Sequence, residues 1–190
     1  MRQKRLTKRA SVVVVCILVI IHCSTICTEE SMSPGSTLPV FKLNMPDLPE
    51  IDAYLGMKGI KTFFLSQIPA KLLVVEFFSV FCPICQENVP TFNRLYQVIK
   101  DDNELNKDIK MIGIALLSPP KEVAVFKEKF KVKFPIFTDP QQEIQKKTKL
   151  ISFPLILVID KNGKVIMSHH GMMKDIDAFL RELRKQHRAL

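Results

Sequence analysis

From residue 38 onward the apolar positions of the chain switch repeatedly between two spacings. "KLLVVEFFSV" (71–80) is apolar almost without interruption, as expected of a strand covered on both faces. From Pro83 the spacing lengthens. Val89, Phe92, Leu95, Tyr96 and Ile99 recur every three or four residues, which predicts a helix, and a proline is acceptable in a helix's first turn. "IKMIGIALL" predicts a second buried strand, "KEVAVFKEKF" an amphipathic helix, "FPIFTD" a short strand, and "PQQEIQKKTKL" a helix opened by Asp139-Pro140. "PLILVID", the turn "KNG" and "KVIMSHH" predict a β-hairpin, and "MKDIDAFLRELRKQH" a closing helix. Ahead of these, a short strand is expected around Val40 to Leu43. "AYLGMKGIKTFFLSQI" offers two extended runs around Gly-containing turns, expected as an N-terminal β-hairpin. Strands and helices that alternate and then close on a hairpin plus helix imply an α/β protein, with a central mixed β-sheet flanked by helices. No internal repeat or low-complexity tract interrupts it.

Composition limits this picture to one domain: 190 residues with 47% hydrophobic content fill one core but not two plus a leader. The leader is the first thirty residues, a basic start followed by "ASVVVVCILVIIHCSTIC" without a charge and then Glu29 and Glu30. Its apolar run is longer than the ~7–15 residues of a signal-peptide core and close to the ~20 that span a bilayer. Residues 1–30 are therefore expected to be a signal peptide or an N-terminal membrane anchor. Lipid attachment is disfavoured, because Val, His or Ile precedes Cys16, Cys23 and Cys27 where a small residue is wanted. Residues 31–37 are expected as a linker and 38–190 as the folded domain, outside the cytoplasm with the basic residues left inside. Five of the charges behind the formal +9 lie in the first nine residues. The remainder is 23 Lys+Arg against 19 Asp+Glu, scattered rather than interleaved with aromatics, which argues against a nucleic-acid partner.

Export changes the reading of "FFSVFCPICQENVP" (77–90), because an oxidising compartment permits disulfides and only Cys82 and Cys85 lie in the exported part. A lone C-x-x-C is a poor staple. At a strand-to-helix junction it suits thiol–disulfide exchange, which needs one exposed ionisable sulfur and a second close enough to displace the mixed disulfide. Cys82 would face the unpaired N–H groups and the positive end of the helix dipole, which stabilise a thiolate. Cys85, one turn on, would be more buried and act as the resolving thiol. Pro83 stiffens the turn and Ile84 adds an apolar patch beside the nucleophile. A structural zinc site would need four ligands. The domain offers no further cysteine, only His169, His170 and His187, and adjacent histidines on a strand point to opposite faces. Haem attachment would need His where Gln86 stands. No metal and no cofactor is expected beyond a redox-active Cys82–Cys85 disulfide.

Three stretches carry a family resemblance: "VVEFFSVFCPICQENVPTFNRLY", "KEVAVFKEKFKVKFPIFTDPQQEIQKKTKLISFP" and "FPLILVIDKNGKVIMSHHG". Together they resemble the thioredoxin superfamily, and within it the membrane-tethered periplasmic thiol–disulfide oxidoreductases of the TlpA/ResA type, over about Leu38 to Gln186. The resemblance implies a thioredoxin-like fold with an N-terminal hairpin and a helix-containing insertion. It makes Cys82 the attacking and Cys85 the resolving cysteine. It makes Pro154 a cis-proline facing them, which leaves the Phe153 backbone free to pair with an extended substrate segment. Glu76, six residues before Cys82, falls where thioredoxins have a buried acid; the other reading is a charge at an edge position. The chain departs from the family at Phe81, where tryptophan is usual in a sequence that here has none, and at Phe153 in place of threonine. Both departures make the surface around Cys82 more apolar.

The resemblance further implies protein thiols and disulfides as extracytoplasmic substrates, at the periplasm or the outer face of the cytoplasmic membrane. A membrane electron donor such as a transmembrane thiol reductase would feed the pair, and the reducing direction, toward apocytochromes in cytochrome c biogenesis, is the one the family favours. Two other readings remain. A peroxiredoxin-like thiol peroxidase would want Thr three residues before its cysteine, where Ser79 stands, and an Arg to polarise the peroxide. A non-catalytic binding module would keep the pair as an inert disulfide and capture a partner on the apolar surface.

Overall fold

The computed structural model describes residues 32–190. The expected leader, residues 1–30, lies outside them. The run "LLVVEFF" becomes β3 (Leu72–Phe78), buried at every position. It is the middle of a five-stranded sheet in the order β5-β4-β3-β6-β7. It pairs in parallel with β4 (Ile109–Ala115) and antiparallel with β6 (Leu155–Asp160). The short β5 (Ile136–Thr138) and the hairpin strand β7 (Val165–His170) form the edges. Because side chains alternate across a strand, Leu72, Val74, Glu76 and Phe78 share one face of β3 and Leu73, Val75 and Phe77 the other, and each face has its own core.

On the first face lie α2 (Pro83–Asp101), α4 (Pro120–Lys129) and α6 (Ile176–Arg188). The predicted stripe Val89, Phe92, Leu95, Tyr96 and Ile99 is buried against the sheet, each such side chain contributing roughly 1.5–3 kcal/mol. Asp175 caps α6 by accepting the Ala178 N–H at 2.8 Å. The far end of α6 is held through His187 to Asp108 (2.8 Å) and Arg184 to Asp102 (2.8 Å). A four-residue helix, α3 (Leu105–Asp108), precedes β4. At Gly113, opposite Glu76 in β4, an added Cβ would stand 2.9 Å from Phe134 and 3.2 Å from Phe78, so the packing of these rings requires a glycine there.

The second face is covered by the N-terminal segment, and here the structure corrects the expected hairpin. β1 (Lys42–Asn44) does pair antiparallel with β2 (Thr62–Phe64), but between them "PEIDAYL" is a helix, α1 (Pro49–Leu55). Pro49 opens α1, Gly56 closes it in the left-handed region, and Ile51 and Leu55 fall one turn apart on its buried side. α5 is also shorter than expected. It begins at Glu143, after Asp139 has accepted the Gln145 N–H at 2.9 Å, and ends at Thr148. Residues 32–37, expected as linker, are tied to the hairpin. Met32 is buried, the Gly35 N–H donates to Val165 O and the Val165 N–H to Ser36 O, both at 2.8 Å, and Thr37 bridges to Lys164. Short backbone bonds of this kind leave no periodic trace in sequence.

Candidate active site

β3 ends inside the core, and Ser79–Phe81 carry the chain from its last residue to the start of α2. Cys82 is the N-cap of that helix, so its sulfur lies among backbone N–H groups that have no partner within the helix. The Cys85 N–H points at the Cys82 Sγ at 3.3 Å. Across the site, the Cys82 Sγ–H donates to the carbonyl of Phe153 at 3.6 Å, and the Phe153–Pro154 peptide is cis. The structure holds the pair as two thiols, Cys82 half-buried and Cys85 fully buried.

This difference in burial separates the two sulfurs chemically. Burial first, then the Cys82 sulfur and the Glu76 charge, push the Cys85 thiol above the usual cysteine range, while the Ser79 backbone acts in the other direction. Glu76 is 2% exposed at the centre of the sheet, which removes the edge-position reading. It faces the same core as Cys85, and burial holds its carboxyl well above the ordinary range. Two proton-holding groups therefore sit behind one accessible sulfur.

Around that sulfur the surface is apolar: Phe81 is 61% and Ile84 43% exposed, with Pro83 exposed between them in sequence and Phe153 half-buried opposite. Leu117, which sequence reasoning had missed, follows β4 in the turn that holds the loop before Cys82. It is 42% exposed with φ +50°, a strained conformation for leucine. Its neighbour Ser118 explains its placement. The Ser118 Oγ accepts the Val80 N–H at 3.1 Å and donates to Leu116 O at 2.8 Å, which ties the end of β4 to the loop before Cys82. Asn88, also missed, is wholly buried and links α2 to the turn after β7 through Gly171 O and the Met173 N–H, each at 3.1 Å. "SPP" and an asparagine inside a helical stripe were the available signals, and neither names a distant partner.

Among the described residues no cluster of three or more His, Cys, Asp or Glu is arranged to hold a metal. His169 meets Met172 O at 3.2 Å and His187 meets Asp108. The Ser79 hydroxyl, where a peroxidase would use threonine, takes the Phe81 N–H at 3.4 Å and neighbours Ser118 Oγ at 3.5 Å. Arg94 and Arg184 are paired with Asp177 and Asp102.

A mixed sheet flanked by helices, with a C-x-x-C at the first turn of α2 opposite a cis-proline, defines the class: a thioredoxin-fold thiol–disulfide oxidoreductase. The chain belongs to the Redoxin family, whose model matches residues 33–182. It is 26% identical over 188 residues to the thiol-disulfide oxidoreductase ResA of Geobacillus kaustophilus, covering 96% of this chain and 98% of that relative. Over 130 residues it is 25% identical to the sporulation thiol-disulfide oxidoreductase A of Bacillus subtilis, covering 66% and 75%. Among solved structures it is similar to a putative thiol:disulfide interchange protein DsbE from Chlorobium tepidum, with TM-score 0.62 at 19% identity over 82% and 98% of the two chains.

Proposed function

We propose that the protein reduces disulfides of extracytoplasmic proteins through Cys82 and Cys85. The Cys82 thiolate attacks one sulfur of a substrate disulfide, forming a Cys82–substrate bond and releasing the other substrate sulfur as a thiol. Cys85, once deprotonated, attacks the Cys82 Sγ. This forms the Cys82–Cys85 disulfide and releases the second substrate thiol, so that two electrons and two protons reach the substrate. A dithiol donor at the membrane, of the transmembrane thiol reductase kind, then restores the pair. Phe153 O lies where it can pair with an extended substrate segment, with Phe81, Pro83 and Ile84 as its apolar bed. The basic and then uncharged leader supports an anchor or signal that places the domain on the periplasmic face. Apocytochromes awaiting haem are the substrate class that the kinship with ResA supports.

The observation that carries this reading is the contrast within one helix turn: Cys82 is reachable and held between the Cys85 N–H and Phe153 O, whereas Cys85 is sealed behind it. In the reduced protein, Cys82 is expected to alkylate first, and Cys85→Ser to accumulate mixed disulfides with exported proteins on Cys82. Adducts forming on Cys85 in a Cys82→Ser protein, or none forming in the Cys85→Ser protein, would overturn the assignment. The reduction potential of the pair, measured against glutathione, then tests the reducing direction.

A further inference from the structure

A cleft of about 590 Å³ opens between α1, the C-terminal half of α2 and the segment leading into β5. Its size falls within the range of roughly 300–1,000 Å³ typical of small-molecule sites. It is separate from the dithiol: Cys82 begins α2 and Lys100 lies in its last turn, roughly 27 Å further along at 1.5 Å per residue.

Charge distinguishes this cleft. Lys100, Lys110, Lys127 and Lys133 line it, and Glu50 is the one acid among its lining residues. None of the four lysines takes part in an ion pair among the described residues. One wall is the ring pair Tyr54–Tyr96, centroids 5.3 Å apart. The Tyr54 hydroxyl accepts the Met111 N–H at 2.8 Å, which fixes that ring to β4. The Lys110 ammonium stands 5.0 Å from the Tyr54 centroid and the Lys100 ammonium 5.9 Å from that of Tyr96. An ammonium set over each ring makes charge, more than ring stacking, the recognition chemistry.

Lys110 is the informative member. Its Nζ donates to Asn106 O at 2.6 Å and to Asn106 Oδ1 at 3.1 Å, so it is held in one pose, unlike an ordinary surface lysine. Both acceptors are neutral, and burial holds the ammonium below the usual lysine range. A cation partly withdrawn from water, oriented, and without a counter-charge gains from an incoming anion. Three more lysines lining the same space call for more than one negative charge.

We propose that this cleft binds a small anion bearing two or more phosphate groups, either free in solution or presented as a diphosphate lipid headgroup at the membrane surface. The test uses the full chain and two probes at physiological ionic strength: inorganic pyrophosphate by titration calorimetry, and phosphatidylcholine vesicles with and without cardiolipin by flotation. Lys110→Gln and Lys133→Gln are each expected to weaken binding about tenfold or more, as losing a charge-assisted contact does. Lys161→Gln, in the β6–β7 turn and not among the residues lining the cleft, is the charge control and should leave binding unchanged. Pyrophosphate binding with this pattern assigns the soluble source, and the same pattern with cardiolipin vesicles alone assigns the lipid. Binding of neither probe, or binding that the Lys161 change lowers as much as the cleft changes do, overturns the proposal. So does binding that neither cleft change lowers. Should Lys110→Gln fail to fold, the exposed Lys133 decides alone.

Discussion

Replacing Glu76 with Gln keeps the shape of the side chain and removes its titration, which makes the consequences of burying an acid at the centre of the sheet measurable. In the unfolded chain this carboxyl ionises near its ordinary value of 4.5, whereas in the folded protein burial keeps it protonated to well above that. Between the two, the folded state holds more protons than the unfolded one. Wild-type stability therefore falls as pH rises, at up to about 1.4 kcal/mol per pH unit, until the folded group itself ionises. With Glu76 only 2% exposed, little of this is screened by solvent. The gain for Glu76→Gln is therefore near nothing at pH 4.5 and grows with pH until the folded carboxyl ionises, above which it levels off. Urea unfolding of the reduced proteins across this range reads the difference directly. Parallel stability curves for the two proteins would refute the reasoning, since they would mean that Glu76 titrates alike in both states. The kinetic consequence is separate. Cys85 cannot attack until its proton leaves, and the ionised form of the carboxyl facing the same core, whose proton affinity burial has raised, can accept it. General-base help is worth ~10²–10⁴-fold where solvent cannot replace it. Resolution of a preformed Cys82 mixed disulfide should accordingly slow by about tenfold or more in Glu76→Gln, with the first attack by Cys82 unchanged in stopped-flow traces. Resolution that stays unaltered from pH 6 to 8 would leave Glu76 a structural role only.

Gly113→Ala places a Cβ 2.9 Å from Phe134 and 3.2 Å from Phe78, and such overpacking should cost about 1–3 kcal/mol, seen as a lower thermal midpoint with the exchange chemistry retained. At Asp108, hydrogen bonds from His187 and then Lys71 hold the carboxyl below its ordinary 3.8, so its contribution is present above that pH and lost as pH falls through the folded value. Asp108→Asn should therefore be less stable than wild type at pH 6, with the gap in thermal midpoint closing in strong acid; a gap independent of pH would mean that the ion pairs are not its source. For the leader, mass spectrometry of the membrane fraction should find an N-terminus at or near Met1, and a mature chain starting between Thr25 and Ser31 would make the protein a soluble exported enzyme.

What sequence conveyed and what it withheld follow from the range of the interactions involved. β3, β4 and β6 declare themselves because burial on both faces forces an almost unbroken apolar run. The place of Cys82 declares itself because the period changes within a few residues of Pro83. Each is a local signal about burial. The first forty residues of the domain carry weaker signals: β1 and β2 have three residues each, too few for a period of two to emerge, and they pair across an intervening helix. Pro49 and Gly56, which bound α1, are also turn formers, so the same residues fit the hairpin that does not form.

The surroundings of Cys82 were legible only where chemistry constrains residue type. Two cysteines, a proline before a strand and an acid inside an apolar run are unusual enough to be noticed singly. Ser118 and Asn88 are ordinary residues until the fold brings them to Val80, 38 residues away, and to Gly171, 83 residues away. Both act on the strand-to-helix loop and helix α2 rather than on a sulfur. Ser118 fixes the loop that aims Cys82, and it does so from a turn in which Leu117 takes a conformation that leucine avoids. Strain held next to a reactive group usually reflects a geometry that the site requires. In this protein that turn fixes Val80 through the Ser118 hydroxyl, two residues before an N-cap sulfur directed toward Phe153 O and set between the exposed Phe81 and Ile84 in the chain.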